Sequence, residues 1–283
     1  MRRILIAGCG YVGEATADLF HHDGWTVEGW TRSAESAAKV MGKPYPVIAV
    51  DLTQRDQVNR RPENFDAVIH CASTRGGAAD LYRQVYLGGM RNLLDRFIGS
   101  TVLFTSSTSL YSQKSGEWVT EETAAQPEHE AGKVLRETEE LVLNHGGVVA
   151  RLAGIYGPGR SALLTKFLSG EAVIDRENDR FINQIHRDDI AAALFMLLEQ
   201  SLQPRQIYNV VDGNPILRSE CYRWLAERLD RPVPPVGGST VKLKRGRSNK
   251  RVANAKLRAL GWTPQYPSFA EAMDKSILPS FGL

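Results

Sequence analysis

The chain alternates between two hydrophobic rhythms. Short, nearly unbroken apolar runs recur through its first half: "RRILIAG", "WTVEGWT", "YPVIAVDL", "FDAVIHCAS", "STVLFTSS" and "GVVARLAG". Runs of this length, rich in β-branched residues, read as strands buried on both faces. Between them lie "EATADLFHHDG", "DLYRQVYLGGMRNLLDRFIG" and "KVLRETEELVLNHG", whose apolar residues recur at helical spacing. Strand and helix in alternation predict a parallel sheet covered on both faces by helices. In the second half "RDDIAAALFMLLEQ" predicts a helix capped near Asp188 or Asp189, and "QIYNVVD" predicts one more strand. From "PILRSECYRWLAERLDRPVPP" onward the rhythm breaks into helix, proline-rich loop and a basic segment.

The first strand runs into "AGCGYVG", which sets Gly8, Gly10 and Gly13 in the spacing GxGxxG at the opening of a helix. Each glycine has a job there: one makes the tight turn, one lets backbone approach a pyrophosphate, one lets the helix pack on its strand. The helix start adds free N–H groups and a positive dipole. A dinucleotide-binding turn is expected, with Tyr11 and Val12 inside it. The end of the second strand selects the dinucleotide. An acid there would hold both ribose hydroxyls, but "GWTRSAE" offers Thr31, Arg32 and Ser33, with Glu28 earlier in the strand. An arginine flanked by hydroxyls suits a 2′-phosphate, so NADP is expected over NAD.

The expected fold is therefore α/β, a doubly wound parallel sheet (Rossmann) with a smaller, interleaved C-terminal substrate domain. Residues 1–155 plus 184–212 would form the dinucleotide-binding domain, and 156–183 plus 213–283 the substrate domain.

Composition narrows the class. With 42% hydrophobic and 24% charged residues over 283 positions, the chain matches ordinary globular proteins and can bury a sizeable core. A formal charge of +3 is too small to imply a polyanionic partner. Cys9, Cys71 and Cys221 lie far apart and form no CxxC pair, which predicts reduced thiols and no metal site. The apolar run of "MRRILIAGCGYVG" is too short for a signal peptide, and no stretch nears the roughly 18 apolar residues of a membrane span. A cytoplasmic chain with no membrane partner is expected.

Seven segments in order resemble the extended (atypical) short-chain dehydrogenase/reductases, the NAD-dependent epimerase/dehydratase family. They are "GYVG", "VDLTQRD", "VIHCAS", "FTSSTSLYS", "RLAGIYGPG", "INQIHRDDIAAAL" and "SNKRVANAKLRALGWTPQYPSF". The resemblance implies adenine contacts through Asp51 and Leu52, and cofactor contacts along Cys71 and Ala72. It also implies hydride transfer coupled to a proton moved by a tyrosine, with a lysine lowering that tyrosine's pKa and holding the nicotinamide ribose. By motif the substrate-orienting serine is Ser107 and the lysine is Lys133. The tyrosine position falls on His129, whose imidazole can itself carry a proton near neutrality.

Other positions depart from the family pattern as well. Tyr86 and Gly154 stand where the family usually has asparagines, so a nucleotide-sugar substrate does not follow from the resemblance. Tyr111, Tyr156 and His186 are candidates for the substrate cleft. Residues 241–258 hold eight Lys/Arg, no acid and no aromatic. That run reads either as a solvated face or as a source of substrate-binding arginines, Arg245 or Arg247, and without aromatics no nucleic-acid partner is expected. Two functions follow: an NADP-dependent oxidoreductase or epimerase acting on a small polar substrate, anionic or a nucleotide sugar, or a non-catalytic NADP(H)-binding sensor. The resemblance makes a homodimer the expected assembly.

Overall fold

A computed structural model describes residues 1–74, 76–200, 204–237 and 248–283. Its centre is a sheet of seven parallel strands: β1 (Arg3–Ala7), β2 (Thr26–Thr31), β3 (Val47–Ala49), β4 (Ala67–His70), β5 (Thr101–Ser107), β6 (Val148–Leu152) and β7 (Ile207–Val210). Each coincides with one of the apolar runs. The order across the sheet is β3-β2-β1-β4-β5-β6-β7, so the chain reverses its direction of travel between β1 and β4. In sheets of this kind ligands bind outside the carboxyl ends of the strands at that reversal.

Alternation along the strands divides the core in two. Ile4, Ile6, Ile69, Leu103, Ala150 and Val210 face one side, while Leu5, Ala7, Val68, Phe104 and Val149 face the other. The first side is covered by α1 (Tyr11–His22) and α3 (Arg187–Glu199), which pack on each other through Ala17, Phe20, Ala193, Leu194 and Leu197. Phe20 stands edge-on to Trp25 and against Phe195. The second side is covered by α2 (Glu130–Asn144) and by the helical run Ala79–Tyr82, Arg83–Gly88 and Gly89–Arg96, whose middle portion is π-helical. Gly89 lets this run sit close to the sheet: a Cβ there would stand 3.1 Å from Leu52 and 3.6 Å from His70.

A third apolar cluster lies apart from the sheet. Tyr156, Leu164, Phe167, Ile174, Cys221, Leu225, Phe269 and Met273 belong to it, and Val252, Leu257 and Trp262 join the sheet core instead. One buried network ties α2 to the sheet. Arg151 donates through Nε and Nη2 to both oxygens of Glu139 (2.9 and 2.6 Å) and through Nη1 to the Tyr111 hydroxyl (2.9 Å), which in turn donates to Asn209. Among the described residues no helix is long and apolar enough to cross a membrane.

The expected cap of α3 is corrected. The cap is His186, whose Nδ1 accepts the Asp188 N–H at 3.2 Å, while Asp189 accepts the Gln265 and Tyr266 N–H groups from a distant loop. Burial raises the Asp189 carboxyl to about 6 despite those two bonds.

Candidate functional site

The glycine turn lies at the carboxyl end of β1, at the reversal point. Gly8 takes φ +110°, and a Cβ on it would stand 2.2 Å from the Ala72 nitrogen and 2.5 Å from the Cys71 carbonyl carbon. A Cβ on Gly13 would stand 2.2 Å from the Gly8 carbonyl oxygen. These two glycines are therefore required by the fold. Gly10 is different: a Cβ there would meet nothing within 4 Å. It also begins the 12-residue helix α1, which no side chain caps, so the first N–H groups are left without helical partners. Open space before a free helix start is the cradle that a pyrophosphate fits.

Tyr11 fastens this turn to the far side of the cleft. Its hydroxyl donates to the Pro158 carbonyl at 3.1 Å, and the Arg160 and Arg187 guanidinium groups each lie 5.1 Å from its ring centre. Burial raises its pKa against the pull of the two arginines. Val12 packs against the first core. Cys71 and Ala72 run past Gly8, and burial holds the Cys71 thiol protonated by pushing it up to about 12, so it is not a nucleophile at neutral pH.

At the adenine end Thr31 is buried and donates to the Ser33 carbonyl, and Ser33 caps the short helix Ala34–Ala38. Arg32 is exposed, with no hydrogen bond or ion pair among the described residues. The Glu28 carboxylate accepts the Trp30 indole N–H at 2.7 Å, which occupies the one acid of that strand. Asp51 accepts from the N–H and hydroxyl of Thr53, and Leu52 is fixed by Asn92, whose amide donates to its carbonyl at 2.7 Å.

Ser107 ends β5. Its Oγ accepts the Ser109 N–H at 3.1 Å, which leaves its own proton to donate. His129 is exposed, occupies the N-cap position of α2 without capping it, and has no side-chain partner among the described residues. Lys133 is exposed and ion-paired to Glu130 at 2.6 Å. Gly132 carries this helical turn against Pro127 and Leu110, a residue of the turn after Ser107. Ser107, His129 and Lys133 thus share one rim but are not hydrogen-bonded to one another.

Three expected substrate residues are corrected by their burial. Tyr111 is fully buried, with its hydroxyl held between Arg151 and Asn209. Tyr156 is 1% exposed and belongs to the third core. His186 is fully buried, shares a hydrogen bond with Ser276 at 2.9 Å, and lies against Tyr266 at 3.9 Å between ring centres. Burial lowers its pKa to about 4, so it is a neutral structural group at physiological pH. Arg245 and Arg247 lie outside the described residues.

The model of the family described as NAD dependent epimerase/dehydratase matches residues 4–210. The chain belongs to that family. It is similar in structure to a putative NAD-dependent epimerase/dehydratase from Methylobacillus flagellatus, with 31% identity, TM-score 0.81, and 100% of this chain and 99% of that chain covered. A functionally unknown conserved protein from Silicibacter pomeroyi matches at 22% identity and TM-score 0.77, with 97% of each chain covered. The UDP-glucose 4-epimerase of Thermus thermophilus, in complex with NAD, shares the fold at 21% identity and TM-score 0.81, with 96% of each chain covered. Among curated proteins none matches the chain significantly.

Within this epimerase/dehydratase frame the two departures take on physical form. Tyr86 is 8% exposed, stacks near His70, and reaches Ser73 with its hydroxyl at 3.4 Å. A side chain at Gly154 would begin 3.0 Å from the Asn183 carbonyl. No motif singles out Arg180, Arg218 or Lys250. In the sequence Lys250 reads as one charge of a basic run, although "KRV" alternates in burial as a strand does, with Lys250 and Val252 buried and Arg251 less so.

Proposed function

We propose that this chain is a nicotinamide-dinucleotide-dependent oxidoreductase or epimerase of the extended short-chain type, acting on a small polar carbonyl or alcohol substrate. The observation that carries the reading is the glycine turn: two glycines demanded by backbone contact, a third facing open space before an uncapped helix. Family membership and the NAD in the Thermus epimerase complex support it. Gly8, Gly10, Tyr11, Val12 and Gly13 would hold the pyrophosphate, Asp51 and Leu52 the adenine, and Cys71 and Ala72 would line the path between. Once bound, such a cofactor supplies a hydride donor or acceptor.

The chain's own residues do the rest. Ser107 donates its free proton to a substrate oxygen. Lys133 offers the ribose an ammonium that now rests on Glu130. His129, with both ring nitrogens unengaged by the protein, gives or takes the proton that accompanies the hydride. Thr31, Arg32 and Ser33 favour NADP over NAD, since the single exposed cation there lacks an acidic neighbour in hydrogen-bond reach and Glu28 is held by Trp30. The third apolar core supports a substrate domain over 156–183 and 213–283, with residues 250–262 seated on the dinucleotide side.

The test is calorimetric titration with NADPH and with NADH, followed by transfer of labelled hydride from the bound cofactor to candidate carbonyls. Tight NADPH binding with transfer that Ser107→Ala and Lys133→Met abolish is the expected result. Absence of binding by either dinucleotide sinks the reading. A second reading, an NADP(H) sensor without chemistry, is favoured by the exposure of His129 and the Lys133–Glu130 pair. It predicts binding without transfer to any carbonyl.

A further inference from the structure

Three cations converge on the C-terminal unit with no acid to meet them. Arg180 stands at the start of the strand Phe181–Ile182, which pairs antiparallel with Ile216–Leu217 in the register Phe181 to Leu217. The next residues outward are Arg180 and Arg218, and the Arg218 N–H donates to the Arg180 carbonyl at 3.0 Å. Like charges placed directly across an antiparallel pair repel. The strand Lys250–Val252 is stitched alongside by asparagines: Asn249 accepts the Phe181 N–H, and Asn183 both donates to the Lys250 carbonyl and accepts the Val252 N–H. That arrangement brings Lys250 into the field of Arg180. Lys250 is 6% exposed, and its ammonium has one partner, the Ser248 hydroxyl at 3.2 Å.

The nearest acids along these segments are engaged elsewhere. Asp179 accepts from the backbone and hydroxyl of Ser219, Glu220 from the Leu217 N–H, and Glu117, the register partner of Lys250, from the Ser115 N–H. Arg180, Arg218 and Lys250 make no ion pair among the described residues, and the residues outside that set contain no Asp or Glu in the sequence. Arg251, one residue on, points away and lies between Trp118 and Phe181. A buried cation without a counter-ion is costly. Three together signal a ligand that supplies the charge.

We propose that Arg180, Arg218 and Lys250 form the receptor for a phosphoryl group of the substrate. A carboxylate monoanion would leave two of the three charges uncompensated, and a phosphoryl dianion leaves one. Two guanidinium forks and an ammonium also match three phosphoryl oxygens. The receptor belongs to the cleft because its strand is bonded to the segment that follows Ser107: the Asn249 N–H donates to the Gln113 carbonyl and the Gly116 N–H to the Asn249 carbonyl. Only the word "substrate" rests on the oxidoreductase reading. The oxyanion site itself does not.

The test titrates inorganic phosphate into the wild type and into Lys250→Met, Arg180→Gln and Lys250→Arg, with acetate as the monoanion control and NADPH in parallel. Saturable phosphate binding is expected, weakened about tenfold in each neutralising variant and retained in Lys250→Arg, with acetate far weaker and NADPH affinity unchanged. Equal phosphate affinity in wild type and variants, or none in the wild type, overturns the receptor. Acetate binding as tightly as phosphate overturns the phosphoryl assignment. A protein that takes phosphate in this pattern but no dinucleotide keeps the receptor and loses the oxidoreductase reading. One that takes dinucleotide but fails the phosphate pattern does the reverse.

Discussion

Arg151 and Lys250 lie at nearly equal depth, 2% and 6% exposed, in opposite surroundings. Burial works against the charge of both. At Arg151 two hydrogen bonds to Glu139 outweigh it and hold the guanidinium above its ordinary pKa. At Lys250 nothing does, and burial together with the Arg180 charge pushes the ammonium from 10.5 down to about 8. The first cation is neutralised by the fold itself, so its work is architectural: it joins β6, α2 and Tyr111. The second is left open by the fold, in a position where a free charge only weakens the native state. The contrast separates charges that assemble the molecule from charges held for something outside it.

The largest effect should come from breaking the paired site. Glu139→Gln leaves Arg151 buried without its counter-ion and should cost about 3–5 kcal/mol in urea unfolding. The opposite sign is expected at the unpaired site, where Lys250→Met should stabilise by about 1–3 kcal/mol at pH 7. The pH dependence sharpens this. Between pH about 8 and 10.5 the unfolded chain still holds the Lys250 proton that the folded chain has released, so wild-type stability climbs as pH rises through that window. In Lys250→Met that climb should vanish; an unchanged pH slope would show that the ammonium has found a partner. Smaller again is Tyr111→Phe, which removes one hydroxyl from the Arg151 network and should cost about 1 kcal/mol. Least of all for stability is Arg32→Gln at the exposed end, expected within about 0.5 kcal/mol of wild type, yet weakening NADPH about tenfold and leaving NADH unaffected.

What was legible in the sequence follows the same division between local and distant causes. Apolar runs specify buried parallel strands by their own composition, so all seven are where the pattern puts them. Gly8 and Gly13 are legible because a tight turn between strand and helix excludes a Cβ. Tyr111 and Tyr156 misled because a tyrosine beside a cleft motif and a tyrosine in a core look alike until the hydroxyl's partner is known, and Asn209 lies 98 residues from Tyr111. His186 reads as a ligand-facing histidine beside two aspartates, yet it caps the helix those aspartates begin. In the basic run the density of charge drew attention to Arg245 and Arg247, while the informative residue, Lys250, is set apart by the acids it lacks. A missing partner leaves no mark in a sequence.

The pairing of α1 with α3 also governs the order in which this molecule can become whole. During synthesis Ala17 and Phe20 leave the ribosome among the first residues, but their cover, Ala193, Leu194 and Leu197, follows more than 170 positions later. Six strands of the sheet can associate through short crossovers while that apolar face still looks onto water. Such a nascent intermediate exposes one flank of a nearly finished sheet, the kind of surface that chaperones shield and that otherwise associates with its own copies. The helix made first is closed over last.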